Sequence, residues 1–476
     1  MASHAGNSHV DAVVVGSGPN GLAAALTLAR AGLAVEVFEG AQSLGGGCRT
    51  QELTLPGFTH DVCSTVHPLL AASPFFRDAG LNVTLRTPEV AFAHPLDGGR
   101  AVAVTGSVAQ TAATLGADGS RYQRLLGPLA DSLDQILPSV LAPMLRPPAH
   151  PLAMARFGLR GLWPASALAR LFETQPAKAL IAGLAAHSMQ PLSAPGTGAF
   201  ALLLGMLSHT VGWPVVEGGS ASVVDALAAE IEAAGGHLHT GRWIGDLQDL
   251  PSSRLTLLDL TPRQLLEIAG ERMPARSRRA LARFRYGPGV CKVDWALSGP
   301  VPWQADVCRS TPTLHLGGTF EEIARSESEV SAGRHAERPY CIAVQPCVVD
   351  PSRAPQGRQT FYAYCHVPAG SSRDVSDRIE AQIERFAPGF RDLVLAKTVM
   401  TATEIESHNP NYIGGDINSG AATLAQTLFR PTVSLRPYST PLPGVYLCSS
   451  STPPGGGVHG MCGQGAAQVA LRDLHH

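Results

Sequence analysis

The residues best suited to chemistry begin with a glycine loop. Gly16-Ser-Gly-Pro-Asn-Gly21 sets glycine at the first, third and sixth places. That spacing suits a phosphate. The first glycine makes the tight turn, the second opens the backbone to a pyrophosphate, and the third lets the following helix pack closely. Glu39 follows at the ~20-residue spacing at which a carboxylate can accept hydrogen bonds from both hydroxyls of a ribose. A 2′-phosphate would be repelled there. A second set of groups suits proton transfer. His67, His408 and His459 carry imidazoles, which accept protons near neutral pH. Tyr412 lies four residues after His408. Lys292 alternates onto one face with Asp294 and reads as its ion-pair partner, with a catalytic lysine as the lesser alternative.

Elements to position these groups can be read around them. Asp11–Val15 is an apolar run expected as a buried parallel strand. Leu22–Arg30 is rich in helix formers, and Ala34–Phe38 is a second strand that delivers Glu39. Strand, glycine loop, helix, strand and acid in that order predict a dinucleotide-binding unit, with the helix N-terminus facing the phosphates. Ser222–Ala234 predicts a helix, Gly235–Ile244 a turn and strand, Arg254–Leu260 a strand, and Pro262–Ala269 a helix with proline in its first turn. Gly444–Leu471 repeats strand, glycine loop and helix.

The intervening stretches differ. Tyr122–Val140 places Leu125, Leu126, Leu129, Leu133, Ile136 and Leu137 at helical spacing and predicts a packed helical cap. Phe200–Trp213 is read as the apolar wall of a substrate pocket. Gly287–Leu297 alternates like a half-buried strand, Tyr340–Val349 and Gln359–Val367 read as further strands, and Val375–Phe386 reads as a charged surface helix. Glu404–Ile417, with its Asn, Pro and Gly, is expected to be irregular. Its His408, Asn411, Tyr412 and Asp416 either line a pocket or cap their own turns. Pro151–Phe172 combines Leu152, Phe157, Leu159, Leu162 and Trp163 with Arg156, Arg160 and Arg170. It reads either as a peripheral membrane contact or as a core or tunnel-wall helix, and Gly158, Gly161 and Pro164 interrupt any long helix.

Composition narrows the classes. With 476 residues, 45% hydrophobic and 16% charged, the chain can bury a large core across two or three domains. A net charge of −2 offers nothing to nucleic acid. Nine cysteines without CxxC or zinc spacing predict free thiols in a reducing compartment and no metal site. Met1–Val10 has neither a basic region nor an apolar core, and no run approaches the ~20 apolar residues of a spanning helix. A cytoplasmic location, peripheral at most to a membrane, is therefore expected. Oligomeric state is open.

Glu39-Gly-Ala-Gln-Ser-Leu-Gly-Gly-Gly-Cys-Arg-Thr50, with its paired glycines, resembles the extended fingerprint of FAD-binding flavoproteins of the amine oxidase and phytoene desaturase superfamily. Gly444–Leu471 is similar to the C-terminal FAD signature of phytoene desaturase-like proteins, the branch that includes carotenoid isomerases and retinol saturase. The resemblance implies an α/β fold: a Rossmann-like FAD-binding domain assembled from residues 1–72, 214–286 and 420–476. A substrate domain of residues 73–213 and 287–419 would carry an antiparallel sheet and the helical cap. It implies FAD held by Gly16, Gly18, Pro19, Asn20, Gly21, Glu39, Gly40, Gly46, Gly47, Cys48, Arg49, Ile244, Ser450, Gly457, Val458 and His459. Ile244 would hold the adenine through its backbone, and Arg49, two places later than in the superfamily's simplest form, would reach a phosphate. Ser449 and Ser450 stand where many members have an acid. The segment Leu53–Leu70, with Asp61, Ser64 and His67, would pass beside the flavin ring. The implied activity is dehydrogenation of a small apolar, partly unsaturated substrate, forming a C=C bond or aromatising a ring, with dioxygen or a quinone as electron acceptor. Alternatives are a non-redox double-bond isomerase, an amine oxidase and a catalytically silent flavoprotein partner.

Overall fold

A computed structural model describes residues 10–475, so Met1–His9 lie outside the described residues. The chain enters one parallel sheet three times. Its five strands run in the order Val445–Leu447, Leu255–Leu258, Ala12–Val15, Val35–Phe38 and His237–His239, every pair parallel. Ala12–Val15 is central and wholly buried, as an apolar run of that kind requires when both faces are covered. The helices Pro19–Arg30 and Met461–Leu474 cross so closely that a Cβ at Gly463 would strike the carbonyl of Asn20. Small residues at the crossing thus bring the first and last parts of the chain together.

The second sheet has seven strands, ordered Val394–Met400, Gly289–Leu297, Gln359–Val367, Cys341–Val344, Thr313–Leu316, Val90–Leu96 and Arg100–Thr105. All neighbours are antiparallel save Thr313–Leu316 and Val90–Leu96, which pair in parallel, so the sheet is mixed rather than antiparallel throughout. One face carries a helical cap whose core includes Leu126, Ile136, Leu180, Ile181, Leu202 and Met206.

Several elements depart from expectation for physical reasons. Tyr122–Val140 forms two helices, Gly119–Ala130 and Leu133–Val140, because the chain turns at Asp131 and Ser132. Gly289–Leu297 is buried along its whole length, not on alternate faces. Its two charged residues are compensated internally: Lys292 pairs with Asp294 and lies over the Tyr362 ring, with 4.5 Å to its centroid. Ala402–His408 is helical because Thr401 and Glu404 form a capping box, which outweighs the breakers that follow. Pro151–Phe172 yields the helix Pro151–Gly161 and the short Ala165–Ala169, parted at Pro164. Thr197–Thr210 packs in the core of the cap.

A buried ion network ties the small strand pair Thr50–Gln51 and His60–Asp61, and the turn before the helix Ala221–Ala233, to the turn at residues 350–353. Arg353, 1% exposed, donates to Asp61 and to Asp350, both at 2.9 Å. Asp61 also accepts from Ser220 N and Thr50 Oγ1, and Asp350 from Gly218 N. Burial alone would raise the Asp61 carboxyl, but the Arg353 charge and hydrogen bonds outweigh it and hold the pKa below its ordinary value. The nine cysteines are all free; Cys63 and Cys347 are partly exposed and the other seven are buried.

Candidate functional site

A cleft of about 210 Å³ runs along the carboxyl ends of the parallel strands, the edge where open α/β sheets bind ligands. Its walls come from remote parts of the chain. The glycine loop and Glu39 form one side. Gly46, Gly47 and Arg49 lie beyond them. Arg242 to Gly245 close one end, Ser449 and Ser450 the other, and His408 to Tyr412 lie across the top.

The glycine loop is shaped by its neighbours as well as by any ligand. Gly16 adopts φ +96°, a left-handed conformation that a side chain would strain. A Cβ at Gly18 would lie 2.5 Å from Asp259 Oδ2, and one at Gly21 would strike the carbonyl of Gly16. Asp259 therefore occupies the space that the second glycine leaves open. It also accepts from Gly21 N at 3.1 Å, capping the helix Pro19–Arg30 from outside. Burial raises the Asp259 pKa to about 7; the Gly21 and Gly18 amides oppose the rise, and the Glu39 charge adds to it.

Glu39 is locked in place. It accepts from Ser17 N (3.0 Å), Ser17 Oγ (2.6 Å), Ala41 N (2.8 Å) and Arg49 (3.3 Å). Arg49 Nε and Nη2 also donate to backbone carbonyls, Nε to Ser43 and Leu44 and Nη2 to Ser43. Trp243 covers Gly40, and Ile244 lines the cleft beside it. Asn20 Nδ2 donates to Ser450 Oγ at 3.2 Å, joining the first and last segments across the floor.

The cofactor candidates Gly16, Gly18, Pro19, Asn20, Glu39, Gly40, Gly46, Gly47, Arg49, Ile244 and Ser450 all line this cleft. Gly21 lies behind it in the helix, and Cys48 is fully buried. Gly457, Val458 and His459 lie beyond the cleft, where a Cβ at Gly457 would meet Leu69 at 2.6 Å. The last helix starts at Met461, after these residues.

The proton-transfer candidates separate by their hydrogen bonds. His459 is 1% exposed; its Nε2 reaches the Gly455 carbonyl at 3.1 Å and its Nδ1 accepts from Met461 N. Burial, with Arg430 nearby, lowers its pKa to about 4. His67 Nε2 bonds Ser220 Oγ at 2.9 Å, and burial lowers its pKa to about 4 as well. Neither borders the cleft. His408 does, on the last turn of Ala402–His408, and its Nε2 has no hydrogen-bond partner among the described residues. Burial, then the charges of Arg49 and Lys292, hold its pKa below the ordinary histidine value. Tyr412 also borders the cleft and packs against Gly47; burial drives its pKa well up. Asp416 caps Gly287, Asn418 and Gly420 amides instead. Asn411 bridges the strand end, donating to the Asp259 carbonyl at 2.7 Å and accepting from Thr261 N. Asp259 itself escaped sequence reading. Its one signal was its place at the carboxyl end of a parallel strand.

The lining fits an adenine dinucleotide at its nucleotide half. A carboxylate is fixed at the ribose position, glycine backbone runs along the phosphate path, and Asn20 Oδ1 and His408 Nε2 are buried without partners. Beyond Tyr412 lies a small apolar cluster of Met189, Val290, Ile405 and Tyr412, with Cys63, Tyr364, Met400 and Ile417 packed on it.

Comparisons with known proteins agree with this fold. The profile of the NAD(P)-binding Rossmann-like domain matches residues 14–78. Pyridine nucleotide-disulfide oxidoreductase domain-containing protein 2 of Rattus norvegicus is 27% identical, over 98% of this chain and 94% of its own. The neurosporene-forming phytoene desaturase of Rhodobacter capsulatus is 24% identical over 56% of this chain and 54% of its own. An oxidoreductase from Methanosarcina mazei shares the fold at TM-score 0.65 and 16% identity, covering 97% of this chain and 100% of that one. Among the described residues no helix is long and apolar enough to cross a membrane.

Proposed function

Since the chain is an FAD-dependent oxidoreductase of the phytoene desaturase-like flavoprotein superfamily, we propose that it dehydrogenates an apolar, partly unsaturated substrate. The observation that carries this reading is that Tyr412, which borders the cleft, is backed by an apolar cluster. A substrate at this side of the cleft meets the Tyr412 ring, which Met189, Val290 and Ile405 back with apolar side chains, while the charges of the buried Lys292–Asp294 pair are matched to each other; this suits a C–H bond of a polyene, terpenoid or unsaturated ring. The reaction removes a hydride from one C–H and a proton from its neighbour, leaving a C=C bond. Bound FAD supplies the hydride acceptor.

This chain's own residues do the rest. Gly16 to Asn20, Glu39 and Ile244 bind and orient the nucleotide. His408 Nε2 takes the proton, because its partly desolvated imidazole stays neutral at pH 7 and has no competing partner. Tyr412, packed against Gly47, closes the cleft and keeps water from the reacting carbons. Dioxygen or a quinone accepts the electrons.

The test is anaerobic reduction of the holoenzyme by lipid, polyene and terpenoid substrates, with product mass recorded. Bleaching of the yellow colour with a product lighter by two hydrogens supports dehydrogenation. An altered product of unchanged mass, with no bleaching, overturns it in favour of isomerisation. Peroxide release with amines alone assigns the site to amine oxidation.

A further inference from the structure

The helix Pro151–Gly161 is apolar on two sides. Ala153, Phe157 and Gly161, spaced four apart, are buried against the cap. Leu152, Leu159 and Leu162 point the other way, at 88%, 69% and 53% exposure. An amphipathic helix at a water-facing surface carries polar groups on its outer stripe; here that stripe is leucine and arginine. A neighbouring loop does the same. After the short helix Leu424–Leu428, Phe429, Val433 and Leu435 are exposed, the last two at 80% and 84%.

These segments form one face. Leu162 O accepts from Gly196 N, and Gly196 rests on Leu424. Leu145, just before the long helix, shares a shallow hollow with Phe429 and Leu435. Both segments carry one sign of charge along the chain. No Asp or Glu occurs from Gln135 to Phe172, or from Ile417 to Arg472. Arg146 and Arg156 are exposed and make no ion pair among the described residues, and Arg160 lies over the Trp163 ring at 5.0 Å. Arg436 pairs with Asp473, and Arg430 is buried against the Ser450 carbonyl, so neither adds to the field.

We propose that this face docks on an anionic lipid bilayer, with the leucines and Val433 in the acyl boundary and Arg146, Arg156 and Arg160 at the headgroups. Protruding aliphatic side chains on a helix and a loop tip, mixed with arginine and with no acid in either segment, match an interfacial anchor. The inference stands on this surface alone and does not need the redox reading.

The test is sedimentation of the FAD-loaded protein with vesicles of phosphatidylcholine, with and without phosphatidylglycerol. Binding is expected with phosphatidylglycerol and is expected to fall in high salt. Arg156→Gln should weaken it about fivefold, the equivalent of one arginine at an anionic surface. The pair Leu152→Ser and Leu435→Ser should abolish it while flavin content and melting temperature hold. Circular dichroism separates this result from misfolding, and Val433→Ser serves as a milder second variant. Wild-type protein left in the supernatant with both vesicle types overturns the proposal. So does a leucine variant that binds as well as wild type, or one whose only change is the loss of a dimer on sizing, which would assign the face to a second copy of the chain.

Discussion

Asp259 sets a carboxylate against the amides that would otherwise face a pyrophosphate. Its folded pKa of about 7 lies above the ordinary 3.8, so between these values the folded chain holds a proton that the unfolded chain releases. The stability this group contributes is thus full below the ordinary value and lost as pH rises through about 7. Other charged or titratable groups facing it are Glu39, Cys448 and Cys462. A bound pyrophosphate favours the protonated form further, so FAD affinity should weaken above pH 7. Asp259→Asn should tighten binding there and flatten the profile, as read by flavin fluorescence titration. His408 makes a second prediction. His408→Gln should lower kcat by about 100-fold or more with flavin content unchanged. In the wild type kcat should drop on the acid side, at a pH below the ordinary histidine range, because protonated His408 cannot accept; rapid-mixing kinetics would show both. The glycines and Glu39 were legible because a short loop and a strand end carry their own pattern. Asp259 and Arg353 were not, since their meaning depends on partners hundreds of residues away.

At the scale of elements, the strands and helices around the nucleotide were readable from runs of apolar residues and helix formers. The fully buried Gly289–Leu297 was not, because alternation says nothing about a second face covered by distant helices. The helix Ala402–His408 carried a readable signal in Thr401 and Glu404, masked by the Asn, Pro and Gly that follow. That box fixes the turn that presents His408. Thr401→Ala should cost about 1 kcal/mol and speed amide exchange over residues 402–412, measurable by mass spectrometry, with turnover falling in step.

For the molecule as a whole, buried joints outside the two large sheets hold remote parts of the chain together. Arg353 links Asp61, in the small strand pair Thr50–Gln51 and His60–Asp61, to Asp350, which caps the turn Pro351–Arg353. Arg353→Met would strand two buried carboxylates and should destabilise by about 3–5 kcal/mol, seen as a lower urea midpoint. Reading the chain in order hinted at repeated visits to the nucleotide fold through its glycine motifs. Which contacts hold those visits together is a property of three-dimensional closure alone.

The sealed thiols turn the fold into its own clock. Seven of nine cysteines are buried and Cys63 and Cys347 are only partly exposed, so a bulky alkylating reagent should label at most those two in the intact protein. Every further label, counted by mass, would record a moment when the interior breathed open. A chain stripped of its nucleotide should tick faster than one that holds it.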